Sequence, residues 1–210
     1  QGIELGVMVI CMSFWFWYRR GYFIEGSMWA ERVLAAPALQ VASPLRAMAL
    51  MPSGMLAVWQ GKQDIGLAQL QESLAIVQGL EDKQWLAPML MGNGVALINM
   101  GRDSDAQPFF EQAVALFKAQ NIAPFHAITL VHLGNAELGL GNLEQARAYH
   151  EEALAEARAI NENWLIAFSL NNLGEVARTQ GQFDQARKYY EECESLLRAT
   201  GDRGDVARFV

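Results

Sequence analysis

Gly141-Asn142-Leu143-Glu144-Gln145-Ala146-Arg147 and, forty residues on, Gly181-Gln182-Phe183-Asp184-Gln185-Ala186-Arg187 are one phrase written twice. The same spacing relates Leu133-Gly134-Asn135-Ala136 to Leu173-Gly174-Glu175-Val176. Two glycine series carry the period along the chain: Gly54, Gly94, Gly134 and Gly174 in one, and Gly61, Gly101, Gly141 and Gly181 in the other, which Gly21 extends toward the N-terminus. A fixed period of this length marks a stacked repeat architecture, in which each unit is too small to bury its apolar faces alone.

One unit, residues 124–163, shows what is repeated. Pro124 suits the first turn of a helix, where its missing N–H costs nothing. Ile128, Val131, Leu133, Leu138 and Leu140 follow at helical spacing. Gly134 falls mid-helix, where glycine costs about 1 kcal/mol against alanine, so its recurrence predicts a close approach by a partner helix. Gly141 is placed to end the helix in a left-handed conformation. Asn142 and Gln145 predict a capping box opening a second helix. That helix carries Ala146, Tyr149, His150, Ala153, Leu154 and Ala157 inward, with Arg147 and Glu151 spaced to pair outside.

The expected fold is therefore all-α: an α-solenoid, wound as a right-handed superhelix of about five antiparallel helix pairs. Residues 1–210 read as one array, with a divergent first unit at 1–40, units at 41–83, 84–123, 124–163 and 164–203, and the start of a further helix at 204–210. Trp85, Phe125 and Trp164, near the starts of successive first helices, are expected to staple each unit to the one before. Pro52, inside a first helix, predicts a kink; Pro108 falls nearer a helix start and should disturb less. The first unit has Phe14 where later ones have glycine, within the cluster Phe14-Trp15-Phe16-Trp17-Tyr18. Its helices should pack at a different distance.

Composition narrows the function. The 210 residues carry a net charge of −7, with 7 acids and 6 bases in residues 1–100 and 16 acids and 10 bases in residues 101–210. An acidic chain with no basic stripe is not a nucleic-acid surface. The apolar stretch Leu5–Tyr18 is short of the ~20 residues that span a bilayer, and Ile3–Tyr18 lies in register with later helices, so no membrane segment is expected. Two cysteines, Cys11 and Cys193, provide neither a disulfide framework nor a zinc spacing. Cys193 sits on a small apolar position and reads as a buried free thiol, in keeping with a cytoplasmic protein.

No phosphate loop and no nucleophile elbow occurs. His126 and His132 are six apart and face different ways. His132 and His150 lie on opposite helices of one pair and are near enough in register to approach. Neither pairing supplies a ligand set, so no metal or cofactor is expected. Glu151-Glu152 and Glu191-Glu192 read as solvated acids. No catalytic residue and no enzymatic activity is expected.

Leu133-Gly134, Gly141, Ala146 and Ala153, with Phe183, Ala186 and Tyr190 in the next unit, resemble the tetratricopeptide repeat, here lengthened to forty residues. The long form, including Asn171-Asn172-Leu173-Gly174-Glu175-Val176-Ala177, resembles the repeat region of large bacterial signal-transduction ATPases and maltose-activator-type transcription regulators. The stretch Trp17–Tyr22 through Glu25–Trp29 resembles the segment that opens such arrays. That resemblance implies a non-enzymatic domain for binding a protein or peptide segment, apolar or amphipathic, or a small-molecule inducer, within a larger regulator; assembly of copies through the N-terminal aromatics is the alternative. It also implies that first helices line a concave groove. Carried onto this register, the groove comprises Met51, Met55, Val58, Met91, Val95, Ile98, Val131, Asn135, Leu138, Asn171, Glu175 and Arg178. It runs from apolar to polar. Met51, Met91 and Val131 stand where carboxylate-clamping members carry polar side chains, so that mode of recognition is not expected.

Overall fold

A computed structural model of the chain describes residues 2–200. Among them the regular structure is helical: α1 (Gly2–Arg20), α2 (Phe23–Leu34), α3 (Pro44–Trp59), α4 (Gln63–Gly79), α5 (Leu86–Asn99), α6 (Asp103–Ala119), α7 (Ala123–Gly139), α8 (Leu143–Ala159), α9 (Asn163–Thr179) and α10 (Phe183–Thr200), with a 3-10 turn at Pro37–Leu39. The fold is all-α, of the α-solenoid class, in antiparallel helix pairs. The expected helix start at 204–210 lies outside the described residues. The chain divides into two compact units, Gln1–Met100 and Gly101–Val210.

Gly54, Gly134 and Gly174 of the first glycine series, and Gly61, Gly101, Gly141 and Gly181 of the second, act as their spacing predicts. Gly61, Gly101, Gly141 and Gly181 have φ between +69° and +82° and end the first helices of their pairs. The mid-helix glycines are contact points: a Cβ on Gly134 would enter the His150 ring, and one on Gly174 the Tyr190 ring. A Cβ on Gly54 would lie 2.8 Å from both the Gly66 carbonyl oxygen and Leu70 Cγ. Positions 70, 150 and 190 thus press a different side chain against the same bare stretch of helix in successive pairs.

In the unit of residues 1–100 the first pair inverts this device. The glycine is now on the second helix: a Cβ on Gly26 would lie 2.9 Å from the Trp17 ring of α1. Phe14 is buried and stacks on Trp59 at 5.5 Å, with Tyr18 and Phe23 also against Trp59 at 4.4 and 5.7 Å. Around them Val7, Ile10, Trp17, Ala30, Leu39, Ala49 and Leu56 form a core. Helix α3 continues unbroken through Pro52. Proline at 52 removes the N–H that would reach the Met48 carbonyl, and Cys11 Sγ donates to that oxygen instead, at 3.5 Å. Ser43 caps α3, its hydroxyl accepting from Arg46 N–H at 3.2 Å.

In the unit of residues 101–210, Phe125 stacks on Phe117 of α6 at 5.4 Å, the expected staple. Trp164 packs on Phe168 of its own helix, at 5.2 Å. In the unit of residues 1–100, Trp85 lies in the turn before α5, 36% exposed. Cys193 is buried and donates to the Ala167 carbonyl at 3.3 Å; burial pushes its thiol up to about 11. Two local expectations fail. Asn142 makes no side-chain cap on α8; its amide nitrogen donates to Oε2 of the buried Glu137 at 2.8 Å, and that bond, not the helix terminus, orients the side chain. Arg147 does not turn to Glu151 but reaches the α9–α10 loop, donating to Gln180 and Gln182, two neutral acceptors that ordinary i,i+4 reasoning on one helix cannot see.

Candidate functional site

The groove residues divide by burial. Met55, Val58, Val95 and Val131 are buried; Met51, Met91, Ile98, Asn135, Leu138, Asn171 and Glu175 are half-buried; Arg178 is exposed. In the unit of residues 1–100 the methionines bear on a bare helix stretch: a Cβ on Gly92 would lie 3.7 Å from Met51 Cγ and 3.8 Å from Met55 Sδ. Met55 therefore belongs to the packing of α3 on α5, and the accessible apolar surface there is Met51, Met91 and Ile98.

In the unit of residues 101–210, Asn135 and Leu138 of α7 and Asn171, Glu175 and Arg178 of α9 recur at three- and four-residue steps, so each set lies on one face of its helix. Arg178 grips Glu175 through Nε at 3.2 Å and Nη2 at 2.7 Å, and Tyr190 of α10 donates to the other Glu175 oxygen at 2.6 Å. The Arg178 hydrogen bond holds the Glu175 carboxyl below the usual range. Burial, reinforced by the Glu175 carboxylate, pushes the Tyr190 phenol up to about 12. Asn135 Oδ1 is buried without a hydrogen-bond partner in the chain. An acceptor in that condition costs about 1–3 kcal/mol.

Beside these polar groups runs a series of rings. His132 stacks on Phe110 at 5.8 Å and meets the edge of Phe168 at 5.9 Å. His132 and Phe168 precede Asn135 and Asn171 by three residues and share their faces. Sequence reasoning passed over Phe110 and Phe168, because nothing local distinguishes them from core aromatics. Burial lowers the His132 imidazole to about 4; His150, fully buried against Gly134, is also lowered to about 4 by burial and then by His132. Both rings are neutral at physiological pH.

The pairing of His126 with Glu156 was also not foreseen. His126 Nδ1 lies 2.9 and 2.8 Å from the two Glu156 carboxylate oxygens. The ring is 4% exposed. The signal was available in the register: positions 86 and 166 carry Leu and Ile where His126 stands, and positions 116 and 196 carry Leu where Glu156 stands.

Among the described residues no helix is long and apolar enough to cross a membrane. Residues 125–199 match the family described as Tetratricopeptide repeat, and that segment is built of such repeats. No curated protein matches the chain. The fold is shared with solved structures at low identity. A Rap protein complexed with competence and sporulation factor superposes with a TM-score of 0.85 at 14% identity, covering 98% of this chain and 57% of that one. PlcR of Bacillus thuringiensis, in complex with the peptide PapR7 and DNA, gives 0.79 at 12% identity, over 93% of this chain and 70% of that one. BtubC (BKLC) from P. vanneervenii gives 0.74 at 18% identity, over 95% and 83%. The chain thus spans a little over half the length of the Rap protein.

Proposed function

We propose that this tetratricopeptide-type chain is a non-enzymatic peptide-binding domain whose contact surface, in the unit of residues 101–210, is the face shared by α7 and α9. The observation that carries the reading is the pairing on that face of two half-buried amides, Asn135 and Asn171, with the half-buried rings of His132 and Phe168, which meet edge to face. Side-chain amides both donate and accept, as the main chain of an extended peptide requires. Flanking rings take an apolar side chain with little entropy lost. The Glu175–Arg178 pair at the end of the face fixes polarity at that end. The complex of PlcR with the peptide PapR7 supports a peptide as the occupant. In the unit of residues 1–100, Met51, Met91 and Ile98 offer an adaptable apolar counterpart.

Within this reading the domain is the sensor or scaffold part of a larger bacterial regulator in the cytoplasm, and occupancy shifts its parent between two states. The test is selection of binders from a random peptide library, followed by calorimetry with a selected peptide on the Asn135→Ala/Asn171→Ala double variant and on Arg178→Glu. Affinity should fall at least tenfold in the double variant, equivalent to ~1.4 kcal/mol. Unchanged affinity in both variants would remove α7 and α9 from the site.

A second reading, self-association, rests on one feature. Leu5, Met8, Val9, Met12 and Phe16 form an exposed apolar stripe along α1, with Met12 77% exposed. Sedimentation over a dilution series separates the two: a strict monomer eliminates this one.

A further inference from the structure

The peptide reading leaves one cluster unused, and it lies on the opposite side of α7. His126 is nine residues before Asn135, half a turn out of phase on the helix. His126, Glu152 and Glu156 each present one ligand atom, and the three atoms lie within 4.8 Å of one another. We propose that they form a binding site for a divalent cation of the zinc class.

The first argument is the register. Where this pair has imidazole and carboxylate, positions 86 and 116 are both Leu, and positions 166 and 196 are Ile and Leu. In the α9–α10 pair, Ile166 and Leu196 pack against the local core. An apolar contact that a repeat can make has here been exchanged for a base and an acid. Such an exchange is costly in a buried setting unless the groups have a charged partner.

The second argument is geometry. His126 is at the floor, 4% exposed, with Nδ1 facing both oxygens of Glu156 almost equally. Glu156 is half-buried and Glu152, one turn earlier on α8, is exposed. The burial gradient gives a fixed nitrogen at the bottom and two carboxylates opening toward solvent, which supplies an entry path. Beside them His126 and Glu156 line an open hollow of about 310 Å³ with Phe117, Ile122 and Ile160.

The third argument is charge. Glu152 and Glu156 are like charges at i,i+4, which repel on a helix. A doubly charged cation compensates both and leaves the imidazole neutral, the form that ligates. One imidazole and two carboxylates suit zinc and its first-row neighbours rather than calcium, which takes oxygen alone. Three protein ligands leave a fourth position for water.

The experiment is Zn²⁺ calorimetry and X-ray absorption on the full chain, alongside His126→Leu, Glu152→Gln and, as control, Glu191→Gln. His126→Leu installs the residue found at position 86 and should fold; Glu152→Gln alters an exposed side chain and covers the case where it does not. We expect one Zn²⁺ per chain, with nitrogen and oxygen at about 2.0–2.2 Å. Affinity should be lost in His126→Leu, fall at least ~10-fold in Glu152→Gln, and stay unchanged in the control. Equal Zn²⁺ affinity in parent and His126→Leu, or a metal shell of oxygens only, would overturn the proposal and leave a plain His–Glu ion pair. Groove variants that abolish peptide binding leave this result untouched, so the two readings fail separately.

Discussion

Replacing Gly66 by alanine sets the repeat pattern against the packing. Positions 106, 146 and 186 are all alanine, and all three are buried. By register alone Gly66→Ala is the consensus change, and helix propensity favours it by about 1 kcal/mol. The structure gives the opposite sign. A Cβ on Gly66 would lie 2.6 Å from the Gly54 carbonyl oxygen, 2.6 Å from Val58 Cγ2 and 2.9 Å from Val58 N. Two of the three obstacles are backbone, so α3 and α4 must separate rather than a side chain rotate. Overpacking of that kind costs roughly 1–3 kcal/mol, and the backbone obstacle places it at the upper end. Net of propensity, the loss is about 1–2 kcal/mol, or a drop of roughly 2–8 °C in Tm for a chain of this size. Gly79→Ala is the matched control: it is helical, with nothing within 4 Å of the added Cβ, and should gain up to about 1 kcal/mol. Urea unfolding followed by circular dichroism reads both. If Gly66→Ala is as stable as the parent or more so, the close approach of α3 and α4 is wrong.

Other expectations follow from the same geometry. The double change His126→Ile/Glu156→Leu, which installs the pair found at 166 and 196, should stabilise the metal-free chain by about 1–4 kcal/mol, measured by urea unfolding with chelator present. His132, half-buried, and His150, buried, with imidazoles at about 4, bind fewer protons folded than unfolded, where the value is about 6.5. Their contribution is therefore full above pH ~6.5 and is lost as pH falls toward about 4; His150→Phe, the residue at position 110, should flatten the fall of Tm across that window. Cys193, buried and with its thiol raised to about 11, should resist a thiol-exchange reagent at neutral pH and react only at the rate of unfolding.

The fold was largely legible because its cause is local. Each glycine in the 61–101–141–181 series is demanded by a positive φ at one position, and each in the 54–134–174 series by one crossing, so the constraint repeats at fixed spacing. The site was legible only in part. Helix faces predicted Asn135, Asn171, Glu175 and Arg178 together, but not that Met55, Val58, Val95 and Val131 point into packing, since a half-turn of helix phase separates surface from core. Asn142 and Arg147 were misread for one reason: each chose a partner outside its own helix, Glu137 for one and the Gln180–Gln182 loop for the other. His126 and Glu156 are thirty residues apart, and comparison of their unit with its two neighbours in sequence, column by column, reveals them.

A peptide lying along α7 and α9 must pass within reach of position 171. Photo-crosslinking reads this with a benzophenone side chain placed at position 171, on the face of α9 that carries Glu175 and Arg178, and separately at position 151, on the exposed face of α8. A selected peptide should crosslink from position 171 and not from position 151. Crosslinking from 151 with none from 171 would contradict the account.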